Sequence, residues 1–152
     1  MIEFHIQPLA AWQIAAVAIL FEMQLAEHDV ARSQEELVSG LTTLLVEPGQ
    51  GFILVALAEE KPIGVAYLAR ILSLEHGGWS GWLDELYVLP PWRERGVGSA
   101  LLAAAIAGAT ARGWESLDLE VDSSHQRVIP LYERNRFEPV HRTRFVRHLK
   151  SL

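Results

Sequence analysis

The stretch Leu86-Tyr-Val-Leu-Pro-Pro-Trp-Arg-Glu-Arg-Gly-Val-Gly-Ser-Ala-Leu-Leu102 decides how this chain is read. Its first residues continue a β-favouring run from about Trp82 to Leu89, which Pro90 and Pro91 close because neither can donate to a ladder. Its last residues open a helix over Ser99 to Arg112, with Leu101, Leu102, Ala105, Ile106 and Ala109 on one face. Between them lies Arg93-Glu-Arg-Gly96-Val-Gly98. A strand-to-helix turn leaves the first helical N–H groups unpaired at the positive end of the helix dipole, a ready site for anions. Gly96 and Gly98 lack a β-carbon, so the backbone there can turn its N–H groups toward one point, and Arg93 and Arg95 add charge at the rim.

Two glycines before a helix also fit a merely tight turn, so the surroundings matter. A P-loop would need lysine and then Ser or Thr after its second glycine. A dinucleotide fingerprint would need a third glycine where Leu101 stands. Asp118 and Glu120 lie at a workable distance for a ribose contact, which keeps a nucleotide-binding domain as a third reading.

Working outward, Ile2 to Ile6 reads as a short strand, and Leu9 to about Ala26 as a helix with Leu9, Trp12, Ala16, Ile19 and Met23 at helical spacing. Ser33 with Glu36 forms a capping box for a second helix that buries Leu37, Leu41, Leu44 and Leu45. Gly51 to Ala58 and Ile63 to Leu72 make a hairpin around Glu59, Glu60, Lys61 and Pro62. Gly113 is placed as the left-handed residue beyond the third helix. Strands follow at Ser116 to Val121, Phe137 to Val140 and Arg144 to Leu149. A helix spans Gln126 to Asn135, starting late enough to put Pro130 in its first turn. The class is mixed α/β (α+β): one domain over residues 1–152, with about seven strands in a mixed, mostly antiparallel twisted sheet and about four helices.

The quoted motif resembles the acetyl-CoA-binding segment of the GNAT superfamily: a strand ending in a hydrophobic-Val-x-Pro run, then Arg or Gln, two residues, Gly, one residue, and Gly or Ala. Val128-Ile-Pro-Leu-Tyr132-Glu-Arg-Asn-Arg-Phe137 is similar to the family's later helix. The resemblance implies an N-acetyltransferase that moves acetyl from acetyl-CoA to a primary amine in a ternary complex. It places coenzyme A against Leu86, Tyr87, Val88, Arg93, Glu94, Arg95, Gly96, Val97, Gly98, Ser99, His125 and Tyr132. Two residues depart from the pattern. His125 stands where many members have an asparagine touching the pantetheine arm, and Arg136 replaces a glycine before Phe137, where a positive φ suits arginine poorly.

Aminolysis of a thioester needs a neutral amine, a polarised carbonyl and a proton for the leaving thiolate. An alkylamine of pKa ~10.4 is almost wholly protonated at neutral pH, so a base helps. Asp84 and Glu85 are the candidates, equally placed. Strand alternation sends them to opposite faces, so at most one would face the acceptor, and a carboxylate paired with an arginine is the structural alternative. Tyr132 is the candidate general acid through the resemblance, whereas spacing from Val128 and Leu131 alone reads as core. The resemblance further implies that the Val88 N–H meets the carbonyl oxygen where the strand bulges and leaves its neighbour. His28 reads as a surface residue or as part of the acceptor cleft, and Trp79 and Trp82 as packing or acceptor contacts.

The charge of −6 is uneven: residues 1–60 hold nine acids and one base (−8), residues 61–152 ten acids and twelve bases (+2). That argues against a nucleic-acid backbone binder and favours a cationic acceptor. With no cysteine, disulfides and thiol nucleophiles are excluded, and a cytoplasmic setting is expected. The six histidines show no metal-ligand spacing, so no metal is expected, and Leu9 to Phe21 is too short for a membrane span. The resemblance leaves room for a homodimer joined through the C-terminal strands. The rival to an enzyme is a domain of the same fold that binds acyl-CoA as a sensor without turning it over.

Overall fold

The computed structural model describes residues 3–150, which separate into two compact units divided between Glu120 and Val121. In the first unit, β1 (His5–Pro8), β2 (Gly51–Ala58), β3 (Lys61–Ser73), β4 (Gly78–Val88) and β5 (Leu117–Asp118) form one sheet in the order β1-β2-β3-β4-β5. Every neighbouring pair is antiparallel except β4 with β5. The β2–β3 turn places Glu59 and Glu60 at φ 50° and 63°, the paired left-handed conformation of a two-residue hairpin loop.

Helices α1 (Ile14–Glu27) and α2 (Gln34–Val46) cover one sheet face. Ser33 caps α2 as expected: its Oγ accepts the Glu36 N–H at 3.1 Å, and Glu36 accepts the Ser33 N–H at 3.1 Å. Ile53, Val55 and Leu57 of β2, Val65 of β3 and Tyr87 of β4 pack with Val17, Ala18, Leu20 and Phe21 of α1 and with Leu41 of α2. Each Val, Leu, Ile or Phe side chain among them contributes about 1.5–3 kcal/mol by leaving water. Helix α3 (Val97–Ala111) lies against the other face. There Leu101 crowds Gly64 and Gly108 crowds Phe52, so that a β-carbon at Gly108 would stand 2.9 Å from that ring.

The expected inner face of α1 is wrong. Trp12, Ile19 and Met23 are exposed, while Gln13, Val17, Leu20, Phe21 and Gln24 turn inward. The helix is apolar almost all round, so periodicity could not choose a face. Polar anchors did: the Gln13 Oε1 accepts the Ala10 N–H at 2.8 Å, and Gln24 bonds to Glu85.

In the second unit, a 3-10 stretch Ser123–Val128 leads into α4 (Ile129–Arg134), which has Pro130 in its first turn as expected. Arg136, which replaces the glycine of the resembled motif, adopts the left-handed φ of 68°, and Gly113 has φ 73° as foreseen. The sheet has five strands rather than seven. Ser116 to Val121 pairs only at Leu117–Asp118, and the stretches Phe137 to Val140 and Arg144 to Leu149 form no ladder among the described residues. Residues 138–149 are exposed throughout, so no apolar face of theirs is buried to fix a strand register. Of the first expected strand, Ile2 lies outside the described residues.

Candidate functional site

Strand β4 is irregular where the candidate acids stand. Tyr67 pairs with Glu85 and Leu68 with Leu83, so Asp84 is an extra residue, a β-bulge. Strict alternation is interrupted there, and the Asp84 charge is felt by both Glu85 and Tyr67. The bulge sits four residues before Val88, not at it.

Among the described residues β5 pairs with β4 only at Gly81 and Trp82, so within the first unit β4 from Leu83 onward has an open edge on that side. The Leu89 N–H donates to the Ile63 carbonyl at 2.9 Å. By the alternation of an antiparallel ladder, the N–H groups of Leu86 and Val88 therefore point away from β3, onto the open edge. That is the placement an oxyanion donor at Val88 requires.

Glu85 is largely buried against α1. Burial, reinforced by the neighbouring Asp84 charge, pushes its carboxyl up to about 7, against smaller opposing effects of His28 and of a hydrogen bond from Gln24. His28 is the C-cap of α1, its backbone N–H directed at the Ala26 and Leu25 carbonyls. Gln24 was missed from the sequence. A glutamine seven residues after Val17, and so on the same side of the helix, was the available signal.

Arg93 also departs from expectation. Its Nη2 pairs with Glu27 Oε2 at 2.9 Å, its Nε donates to the Val88 carbonyl at 2.9 Å, and its guanidinium lies 5.4 Å from the Tyr87 ring. The side chain thus ties the end of α1 to the turn instead of standing at the rim. Burial and the Glu27 carboxylate hold the Tyr87 hydroxyl above its ordinary range. Arg95 lies over Trp92 at 5.5 Å.

The turn itself has the backbone of an anion site. Glu94 and Gly96 take φ 61° and 86°, Gly96 is the N-cap of α3, and no side chain caps the helix. The N–H groups of Val97, Gly98 and Ser99 therefore have no intrahelical acceptor, and the ladder starts with Ala100 donating to Gly96 at 3.0 Å. Gly98 is ordinary helix, so only Gly96 uses glycine's freedom. A pyrophosphate fits this uncapped terminus, and a pantetheine amide fits the open edge of β4.

In the second unit, Tyr132 sits on α4 with its ring edge-on to Phe137 at 5.8 Å, and burial pushes its hydroxyl up to about 12. His125 Nδ1 lies 2.9 Å from the Ser124 hydroxyl. Trp79 stacks on Arg70, whose guanidinium is 3.4 Å from the ring, in support of packing. A cavity of about 380 Å³ lined by Glu22, Ala26, Asp29, Val30, Ala31 and Arg32 opens on the opposite side of α1 from Gln24 and His28, and is separate from the site.

Residues 17–137 match the model of the acetyltransferase (GNAT) family, and the chain belongs to that family. It is 32% identical over 102 residues to the aminoalkylphosphonate N-acetyltransferase of Salmonella typhimurium, an alignment covering 67% of this chain and 66% of that relative. The chain therefore matches just under two thirds of that relative's length. An aminoglycoside N-acetyltransferase solved in complex with CoA has a similar fold, with a TM-score of 0.84 at 18% identity, covering 99% of this chain and 97% of that one. A predicted acetyltransferase from Clostridium acetobutylicum, solved with acetyl-CoA, gives 0.79 at 16% identity over 95% and 96%. These bound molecules agree with acetyl-CoA as the co-substrate. No helix among the described residues is long and apolar enough to cross a membrane.

Proposed function

We propose that the protein transfers the acetyl group of acetyl-CoA to a primary amine by direct attack, with Glu85 as general base. The observation that carries this reading is the Glu85 carboxyl, raised to about 7, beside a bulge and an open strand edge. A base that titrates near neutral pH accepts a proton and releases it with comparable ease. Acetyl-CoA supplies an acyl carbon activated by its thioester. Glu85 takes a proton from the ammonium group, leaving the electron pair on nitrogen for attack. The Val88 N–H donates to the carbonyl oxygen as negative charge gathers there. As the carbon–sulfur bond breaks, Tyr132, uncharged at neutral pH, gives its proton to the departing sulfur, and the second proton lost from the acylated nitrogen restores the phenol, a role assigned by the resemblance. The backbone N–H groups at the start of α3 hold the pyrophosphate.

A cationic amine suits the acidic first 60 residues, and the named relatives suggest aminoalkylphosphonates and aminoglycosides for the acceptor panel. Thiol release would be followed across these, polyamines and peptides, with Tyr132→Phe and Glu85→Gln as controls. Turnover that falls at least a hundredfold in Glu85→Gln supports the reading, and full turnover in that variant refutes it. Unlike the arginine-paired acid of a binding module, Glu85 faces Gln24, His28 and Asp84, which favours turnover over sensing. We further propose a homodimer joined through the C-terminal segment, where Phe145 and Leu149 are 91% and 88% exposed. Sedimentation showing only monomer at micromolar concentration would count against it.

A further inference from the structure

Gln24 is an unusual occupant of its position. It lies on the inner stripe of α1, 5% exposed, where a leucine would pack without needing partners. Its side-chain amide donates to Glu85, while its Oε1 is buried without a hydrogen-bond partner among the described residues. A buried carbonyl oxygen left unpaired is destabilising, and water cannot reach this one.

We propose that Gln24 is the positioning residue of the general base, holding Glu85 as a carboxylate through Nε2–H and, once Glu85 is protonated, accepting its new O–H at Oε1. The inference rests on the reading of Glu85 as the base. A carboxylic acid and a primary amide are complementary, each offering one donor and one acceptor side by side, so the amide serves both states of its partner. A leucine would serve neither state. A second carboxylate would repel the ionised one. The bookkeeping is simple: the substrate N–H bond breaks, its electron pair stays on nitrogen, and the proton becomes the Glu85 O–H that Gln24 receives. The unpaired Oε1 is then the mark of a proton that has not yet arrived. The other groups that face Glu85 are Asp84 on its own strand, His28 on α1 and Tyr67 opposite it on β3.

The test is an NMR pH titration of protein labelled with 13C at the Gln and Glu side-chain carbonyls, needing no acceptor. The Gln24 signal is assigned by its loss in Gln24→Met, and the Glu85 signal by its loss in Glu85→Gln. The expected result is that the Gln24 carbonyl moves with pH at the same midpoint as Glu85, and that the movement vanishes in Glu85→Gln. A Gln24 signal that stays flat while Glu85 titrates near neutral pH overturns this inference and leaves the base reading standing. Glu85 titrating in the ordinary carboxylate range, with Glu85→Gln keeping full turnover, overturns the base reading instead. In kinetics, Gln24→Met should lower kcat about tenfold, the equivalent of one hydrogen bond, with the KM of the amine little changed. Should that variant fail to fold, Gln24→Asn supplies the assignment, and the wild-type and Glu85→Gln titrations then decide.

Discussion

Replacing Glu85 with glutamine should stabilise the protein while removing its activity, and the stabilisation should depend on pH. The Glu85 carboxyl titrates at about 7 in the fold against 4.5 as its ordinary value. A folded-state pKa above the unfolded one means that the fold penalises the charged form. The stability associated with protonated Glu85 is fully present below about 4.5, is lost as pH rises toward 7, and is absent beyond it. The difference of 2.5 units corresponds at ~1.36 kcal/mol each to about 3.4 kcal/mol. Because Glu85 is not wholly buried, residual screening reduces this to roughly 2 kcal/mol. Glutamine keeps the shape, avoids the buried charge and can donate to the Gln24 Oε1. Thermal unfolding of both proteins from acid to pH 8.5 should show a gap that opens between about pH 4.5 and 7 and then stays constant. At a chain of this size the plateau corresponds to roughly 4–8 °C in Tm. A gap of zero at pH 8.5, or one that closes as pH rises, would refute the reasoning.

Three further outcomes follow from other parts of the structure. Gly96→Ala should cost about 1 kcal/mol of stability, because φ 86° is strained for alanine although the space is open, and it should weaken CoA binding measured by calorimetry. Removing Arg93 and Glu27 singly and together should give a coupling energy of about 0.2–1 kcal/mol in urea unfolding; purely additive losses would show that their 2.9 Å pair contributes nothing. Arg136→Gly should add about 0.5–1 kcal/mol of stability, read as a higher urea midpoint, since the relief of a left-handed arginine exceeds glycine's entropic cost.

Much of the architecture was legible because local chemistry dictated it. The α2 capping box, the β2–β3 hairpin, the position of Pro130 in α4 and the left-handed Gly113 each depend on residues close in sequence, and each formed as read, save that Lys61 and Pro62 belong to β3 and not to the hairpin turn. What could not be read depends on distant partners. The bulge at Asp84 is a register fact shared between β3 and β4, invisible in either strand alone. The inner face of α1 was misjudged because Trp12, Ile19 and Met23 look like core until Gln13 and Gln24 are seen to have partners inside. The two C-terminal strands were read from β-propensity, which reflects packing against neighbours, and residues 138–149 have no such packing.

The phosphate turn shows how a motif can be recognised for one reason and work for another. From the sequence, Arg93 looked like charge for a pyrophosphate. In the fold its guanidinium is committed to Glu27 and to the Val88 carbonyl, so the charge is largely neutralised and its geometry fixed. On our reading the anion is then held mainly by backbone N–H groups at an uncapped helix start, whose dipoles do not have to be reoriented when it binds. The arginine contributes indirectly: by engaging the Val88 carbonyl it fixes the Val88–Leu89 peptide, next to the one that carries the Val88 N–H. Through Glu27 it fixes the last turn of α1, three residues beyond Gln24. Loss of Arg93 should therefore disturb the acetyl-transfer step as well as CoA affinity, whereas loss of Arg95, which rests on Trp92, should act on affinity alone.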